Sequence, residues 1–248
     1  MSEEITAHYE QLASRYDENW THSPEFIGWM SGRIADRLVP RPGDRVADVG
    51  CGTGLFTRGL VERAGQVVCV DPSARMLAQL PDDDAYVPIE ASAEDVADGR
   101  AALPHDEFDV ILVKEAIHHV RERSSALRGL AGLLGPGGRL LVVMLPTTIG
   151  YPLFGRALEA FEEHQPDPAD IAEYMERAGL QAHLTYDSFP LSFTKERYLR
   201  MVRNRYMSLL SMFDDSELEE GVAEIDRAHP GDVLKFPDRF AFVLGRKA

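Results

Sequence analysis

Cysteine is nearly absent from this chain: Cys51 and Cys69 are the only two among 248 residues. Two thiols cannot build a disulfide scaffold. With no Cys-x-x-Cys pair and no Cys/His cluster at zinc spacing, a structural metal site is excluded as well, and a reducing cytoplasm is the expected setting. Long apolar runs are also missing. The longest, near Leu140–Leu145, falls far short of the roughly 18–20 residues that span a bilayer. Positive charge is scarce, with 26 Lys and Arg against 41 Asp and Glu and a net −15. Nucleic acid and anionic membrane surfaces are therefore repelled unless a local basic patch intervenes. The opening Met-Ser-Glu-Glu is acidic where a secretory leader is basic, so a soluble, unprocessed chain is expected. What is present is enough length for one α/β domain with an added cap, and enough apolar residues for a large core.

The first forty residues read as a helical cap. Ile5, Tyr9, Leu12, Ala13, Tyr16 and Trp20 repeat at the spacing of one helical face. A second helix, about Pro24 to Leu38, starts at Ser23-Pro24 and is stopped by Pro40-Arg41-Pro42-Gly43. From residue 45 short apolar strands alternate with helices. Strands are expected at Arg45–Val49, Gln66–Val70, Tyr86–Glu90, Phe108–Val113 and Arg139–Leu145, with helices near Thr53–Ala64, Ser73–Leu80, Ala93–Asp98 and Ser125–Leu134. Nearly continuous apolar strands between helices predict a doubly wound parallel sheet. Beyond it come helices at about Leu153–His164 and Ala169–Ala178, a strand Gln181–Phe189, a helical insertion over about 194–229 and a last strand Arg239–Gly245.

The densest signal is Asp48-Val49-Gly50-Cys51-Gly52-Thr53-Gly54, a strand running through glycines into a helix. Glycines let the backbone approach a ligand, and the helix start offers free N–H groups. A dinucleotide loop needs G-x-G-x-x-G, but Leu55 follows Gly54, which disfavours an NAD dehydrogenase, and Asp48 would repel a pyrophosphate. Asp71, 21 residues after Gly50, is placed to accept hydrogen bonds from both hydroxyls of a ribose. A ribose beside a positive charge points to S-adenosyl-L-methionine.

These motifs resemble the class I S-adenosylmethionine-dependent methyltransferases of the small-molecule branch, over about residues 45–145 and more weakly on both flanks. The resemblance implies a Rossmann-like α/β sheet of seven mostly parallel strands with an antiparallel last strand. Residues 1–40 would be its cap and 41–248 the methyltransferase domain, with a lid inserted at about 194–229. It also implies that Asp48, Gly50, Cys51, Gly52, Thr53 and Gly54 cradle the methionine part, and that Asp71, Pro72 and Met76 hold ribose and adenine. Ser92, Ala93 and Glu94 stand where relatives carry Asp-Ala-Glu at the adenine amine; Ser92 departs from that pattern, leaving a hydroxyl or a main-chain carbonyl for the role. Lys114 and Glu115 depart too, replacing small or neutral residues, as a structural ion pair or as a contact to cofactor or substrate. Ile117-His118-His119-Val120 and the Gly135-Pro136-Gly137-Gly138 turn complete the set. The first helix is similar to one that closes over the cofactor in small-molecule methyltransferases, implying Tyr16 beside the cofactor and Tyr9 and Trp20 beside the substrate. The alternative is that these aromatics are simply a core face.

A sulfonium methyl is already activated, so alignment of a nucleophile is the main requirement and a general base is optional. His119 and, after it, His118 are the candidate bases; packing under the cofactor is the alternative for either. In the insertion, residues 191–212 carry a net +4 and residues 213–226 a net −7. Either these two faces pair with each other, or Arg203, Arg205 or Tyr206 reaches a substrate carboxylate. The expected partner is a small-molecule acceptor, and a homodimer is compatible with the sequence. O-methylation is favoured over N- or C-methylation. Non-methylating use of the cofactor, by decarboxylation or pericyclic chemistry, and a non-catalytic cofactor-binding subunit are the alternatives.

Overall fold

The computed structural model describes residues 23–248, so the expected first helix, with Tyr9, Tyr16 and Trp20, lies outside the described residues. Helix α1 (Pro24–Leu38) begins where expected because the Ser23 side chain accepts from the Phe26 N–H at 3.2 Å and Pro24 occupies its first turn. Phe26, Met30, Ile34 and Leu38 recur every fourth residue and are all buried. On the same helix the Arg37 guanidinium lies 3.9 Å over the Phe242 ring and 2.7 Å from Asp187, fastening α1 to the far edge of the sheet.

The α/β alternation follows as β1 (Val46–Val49), α2 (Thr57–Ala64), β2 (Val67–Asp71), α3 (Ala74–Leu77), β3 (Tyr86–Glu90), α4 (Ala93–Ala97), β4 (Phe108–Lys114), α5 (Arg123–Gly132) and β5 (Leu134–Met144). Then come α6 (Gly155–His164), α7 (Pro168–Arg177), β6 (Gln181–Thr194), α8 (Lys195–Arg203), α9 (Asp215–Ala228) and β7 (Val233–Arg246). The seven strands lie in the order β3-β2-β1-β4-β5-β7-β6, parallel from β3 to β5, with β7 antiparallel to both its neighbours. Alternate strand residues feed two cores. Val46, Cys69, Leu112 and Val143 pack on the side of α1, while Val49, Val70, Val113 and Val142 pack on the side of α5 and α7. The expected Rossmann-like sheet with an antiparallel last strand is thus the observed one. Among the described residues no helix is long and apolar enough to cross a membrane.

Two boundary corrections bear on the site. The helix expected from Thr53 starts only at Thr57, because Gly54 adopts a φ of 77° and residues 53–56 stay in turns, which lengthens the glycine loop. The strands expected to stop at Phe189 and to begin at Arg239 run on, to Thr194 and from Val233, in one 14-residue pairing. Pro190 faces Pro237 across the ladder, and the pairing of β7 with β5 reaches only Ala241. The N–H missing from Pro237 is therefore not needed on the β5 side. The free half of β7 overhangs the carboxyl edge of the sheet and carries the insertion, α8 and α9.

Candidate active site

Switching strand order between β1 and β4 opens a cleft at the carboxyl edge of the sheet. Gly50 and Gly54 have to be glycine: both have positive φ, and a Cβ would stand 2.3 Å from that of Ala116 in the first case and 2.4 Å from the Leu80 side chain in the second. Gly52 differs, since no protein atom lies within 4 Å of where its Cβ would be, and it lines the cleft with bare backbone. The loop is tied down by Asp71, whose carboxylate accepts from the Gly52 N–H and the Ser73 N–H, each at 2.9 Å. Burial raises the pKa of Asp71 despite these two donors.

Asp48 sits under the loop, buried, accepting from the Thr57 hydroxyl at 2.5 Å. Burial, opposed by Thr57 and Lys114, pushes its pKa up to about 6. A buried carboxylate short of countercharge beside bare loop backbone, with a second carboxylate at the end of β2, suits a ligand with an ammonium group and a ribose. S-adenosylmethionine has both, so the residues present fit it. Pro72 and Met76 line the same cleft beyond Asp71, and Ser92, Ala93 and Glu94 close that end. Ser92 has its hydroxyl committed to a capping box, accepting from the Asp95 N–H at 3.1 Å and donating to the Asp95 carboxylate at 2.6 Å. That uses the single proton of the Ser92 hydroxyl and leaves its second lone pair and its main-chain carbonyl to accept from an adenine amine.

Binding of such a cation needs Asp48 ionised. Because the pKa is raised, the favourable charge is present at neutral pH and is lost as pH falls through about 6. Affinity for S-adenosylhomocysteine, followed by calorimetry, is expected to drop about tenfold from about pH 7 to about pH 5, by the proton-linkage relation. In Asp48→Asn the affinity should be weaker and nearly flat over that range; an equally steep wild-type-like fall in Asp48→Asn would refute it.

The other end of the cleft differs in character. Phe56, Leu145 and Phe240 form its apolar walls, with Lys114, Glu115, His119, Tyr151 and Asp238 among them. Lys114 ends β4 and Glu115 follows it in the left-handed region at φ 51°. The Lys114 ammonium lies 4.3 Å from the Phe56 ring centre and 5.8 Å from that of Phe240. Burial lowers the Lys114 pKa, while the charges of Glu115, Asp238 and Asp48 hold it up. The Glu115 pKa is raised by burial, and Oε1 of that residue is buried without a hydrogen-bond partner. On β7, Asp238 is buried and accepts from the Tyr151 hydroxyl at 2.5 Å; burial pushes its pKa up to about 7.

Among the sequence-based candidates, Gly50, Cys51, Gly52, Thr53, Asp48, Asp71, Lys114, Glu115 and His119 all reach the cleft, whereas Gly54 braces the loop behind it. His118 does not line the cleft. Its ring packs on His119 with centroids 3.9 Å apart, its Nδ1 is buried and unpaired, and burial depresses its pKa to about 4. Arg203 and Tyr206 are absent from the cleft as well, which corrects the expected carboxylate anchor. Arg203 binds Glu219 at 2.7 Å, Arg205 binds Asp215 at 2.8 Å, and Tyr206 is buried with its hydroxyl 2.8 Å from that of Tyr198. The basic half of the insertion thus pairs with the acidic half. Tyr151, Asp238, Phe56 and Phe240 escaped notice in the sequence. A signal for Asp238 existed: Leu234, Phe236, Asp238, Phe240 and Phe242 alternate along one buried face, and a carboxylate in that row is out of place.

Fold and cleft together define a Rossmann-like α/β domain whose cleft suits S-adenosylmethionine. Residues 47–142 match the family model described as a methyltransferase domain. A ubiquinone biosynthesis O-methyltransferase of Xanthomonas axonopodis pv. citri is 32% identical over 161 residues, covering 60% of this chain and 66% of the relative. Among solved structures, the YcgJ protein from Bacillus subtilis superposes with a TM-score of 0.61 at 17% identity, covering 88% of this chain and 97% of that one. Phosphoethanolamine N-methyltransferase 2 of Haemonchus contortus, solved with S-adenosyl-L-methionine, superposes with a TM-score of 0.60 at 19% identity, covering 96% and 57%. At these identities the two structures bear on the fold alone.

Proposed function

We propose that this chain transfers the methyl group of S-adenosylmethionine to the hydroxyl oxygen of a small, mostly apolar acceptor. The observation that carries the reading is the two-ended cleft, with glycine loop, Asp48 and Asp71 at one end and a buried ionisable cluster within apolar walls at the other. The cofactor would supply a methyl carbon already activated on a sulfonium. The protein's part is to hold the two reactants in line, to exclude water and to receive a proton from the acceptor. Gly50, Gly52 and Asp48 would hold the amino-acid part and Asp71 the ribose, while Phe56, Leu145 and Phe240 would flank a flat acceptor. The resemblance to an O-methyltransferase at 32% identity supports oxygen as the target atom. With Arg203 and Arg205 paired to acidic residues, no arginine among the described residues lines the cleft to favour an acceptor carboxylate.

An amine acceptor is the second reading, because Glu115 and Asp238 outnumber Lys114 at that end and would also hold an ammonium. Incubating the purified protein with S-adenosylmethionine and a panel of phenols, enols and amines, and following both S-adenosylhomocysteine and methylated product by mass, separates the two. A methyl ether is expected. Methylated amines alone would shift the reading to nitrogen, and cofactor binding without product from any acceptor would overturn it.

A further inference from the structure

The buried charges of the cleft do not balance, and the imbalance falls on one residue. Asp48 is placed for the ammonium of the cofactor, and Glu115, adjacent to Lys114 in the chain, offsets its charge. Asp238 is left with no cation of its own. It is held only by the Tyr151 hydroxyl, on Oδ1, and its second oxygen has no hydrogen-bond donor among the described residues. The fold puts it there by the overhang of β7, between the buried rings of Phe236 and Phe240. A buried carboxylate is costly while charged and becomes comfortable on accepting a proton.

Resting on the O-methylation reading, we propose that Asp238, positioned by Tyr151, takes the proton of the acceptor hydroxyl while the Lys114 ammonium faces the developing oxyanion. The acceptor is then a neutral hydroxyl compound of phenol or enol type, since an anion would meet Glu115 and Asp238 together. The step balances. The O–H proton moves to the Asp238 carboxylate, an oxygen lone pair forms the O–CH3 bond, and the electrons of the broken S–CH3 bond stay on sulfur as a neutral thioether. The proton on Asp238 is released to solvent before the next turnover.

The groups that act electrostatically on Asp238 are Lys114 at the end of β4 and Glu115 after it, Tyr151 from the segment after β5, and Tyr198 and Tyr206 from the insertion. None of the three tyrosines ionises near neutrality, because burial raises each of them. Lys114 and Glu115 oppose each other. The charge of Asp238 changes as pH passes through about 7, and the base is available above that value.

The test uses 3-nitrophenol, a weaker acid than 4-nitrophenol with a yellow phenolate, added to the full chain saturated with S-adenosylhomocysteine just above pH 7, where the free phenol is still mostly protonated and Asp238 is ionised. Wild type is expected to raise the phenolate band on binding. Asp238→Asn should lose that increment at least tenfold, Lys114→Met should reduce it, and His119→Asn should keep it. Asp238→Glu, which restores a carboxylate, should recover part of it. A band that persists in Asp238→Asn, or one lost in His119→Asn and kept in Asp238→Asn, overturns the proposal. So does the absence of any band with wild type. Calorimetric binding of S-adenosylhomocysteine by each variant shows in parallel that the cofactor half is intact. If methyl ethers form from the acceptor panel while the band ignores Asp238, the base assignment fails and the O-methylation reading stands. If wild type neither ionises nor methylates any hydroxyl compound, the reading itself fails.

Discussion

Replacing Asp71 with alanine is expected to weaken S-adenosylhomocysteine binding by two to three orders of magnitude while leaving the protein folded. Three losses coincide. The Gly52 and Ser73 N–H groups, each now bonded at 2.9 Å, lose a charged acceptor, and the bound ribose loses its partner. A hydrogen bond to a charged group contributes on the order of 1.5–3 kcal/mol, so losing the ribose contacts and loosening the loop reaches about 3–4 kcal/mol together. Each 1.4 kcal/mol is about tenfold in affinity. The fold survives because Asp71 ends β2 at the rim of the cleft and the hydrophobic interior of the sheet lies beneath it. Asp71→Asn should lie between, since an amide oxygen can still accept from one N–H while the charge is gone. Circular dichroism confirms the fold and calorimetry reads the affinity. An Asp71→Ala protein that binds within threefold of wild type would show that Asp71 is a loop brace only.

The contrast between Asp71 and Asp238 explains which parts of the site were legible in the sequence. Asp48, the glycines and Asp71 lie within 24 residues and on adjacent strands, so spacing along the chain translates directly into spacing across the cleft. Asp238 reaches the same cleft through an antiparallel pairing of β7 with β5, and Tyr151 through the segment after β5; spacing along the chain says nothing of either. Pro190 and Pro237 face each other across the β6–β7 ladder at a place where β5 asks for no donor. A strand expected only from Arg239 leaves Phe236 and Asp238 outside it, so the row Phe236-Asp238-Phe240 does not read as one face.

Charge patterning left two readings of the insertion open, and the packing of its helices decides for the pairing of its halves. The net +4 and −7 stretches of the insertion follow directly on each other in the chain, and α8 and α9 fold back on each other. Lys195 then meets Asp226, Arg203 meets Glu219, and Arg205 meets Asp215. Exposed pairs of this kind contribute about 0–1 kcal/mol each. They set the register of the helices rather than the chemistry of the cleft. His118 and His119 show the limit of a motif at single-residue resolution. Adjacent imidazoles cannot share one environment in a tight turn, and here His119 reaches the cleft while His118 packs behind it.

Two glycines of α5, one turn apart, are expected to respond to alanine with opposite signs. In a helix interior glycine is less favourable than alanine by roughly 0.5–1 kcal/mol, so both substitutions gain this much on propensity alone. At Gly132 that gain stands unopposed, because the position is exposed and nothing lies within 4 Å of an added Cβ. Gly132→Ala should therefore stabilise the protein by about 0.5 kcal/mol, somewhat reduced at a helix end. At Gly129 the added carbon would stand 2.3 Å from the Ala97 carbonyl oxygen and 2.6 Å from the Ala97 Cβ, at the end of α4. Backbone atoms cannot rotate aside, so α5 has to move away from α4, opening contacts between Val96 and the Leu127 and Leu130 row. Overpacking of this kind costs about 1–3 kcal/mol, and the upper half applies where the obstacle is main chain. Gly129→Ala should lose about 2 kcal/mol and lower Tm by about 4–8 °C in a chain of this size, with little change in S-adenosylhomocysteine affinity once folded. Thermal unfolding of the two variants side by side decides it, and equal Tm values would mean that α4 yields where the contact predicts it cannot.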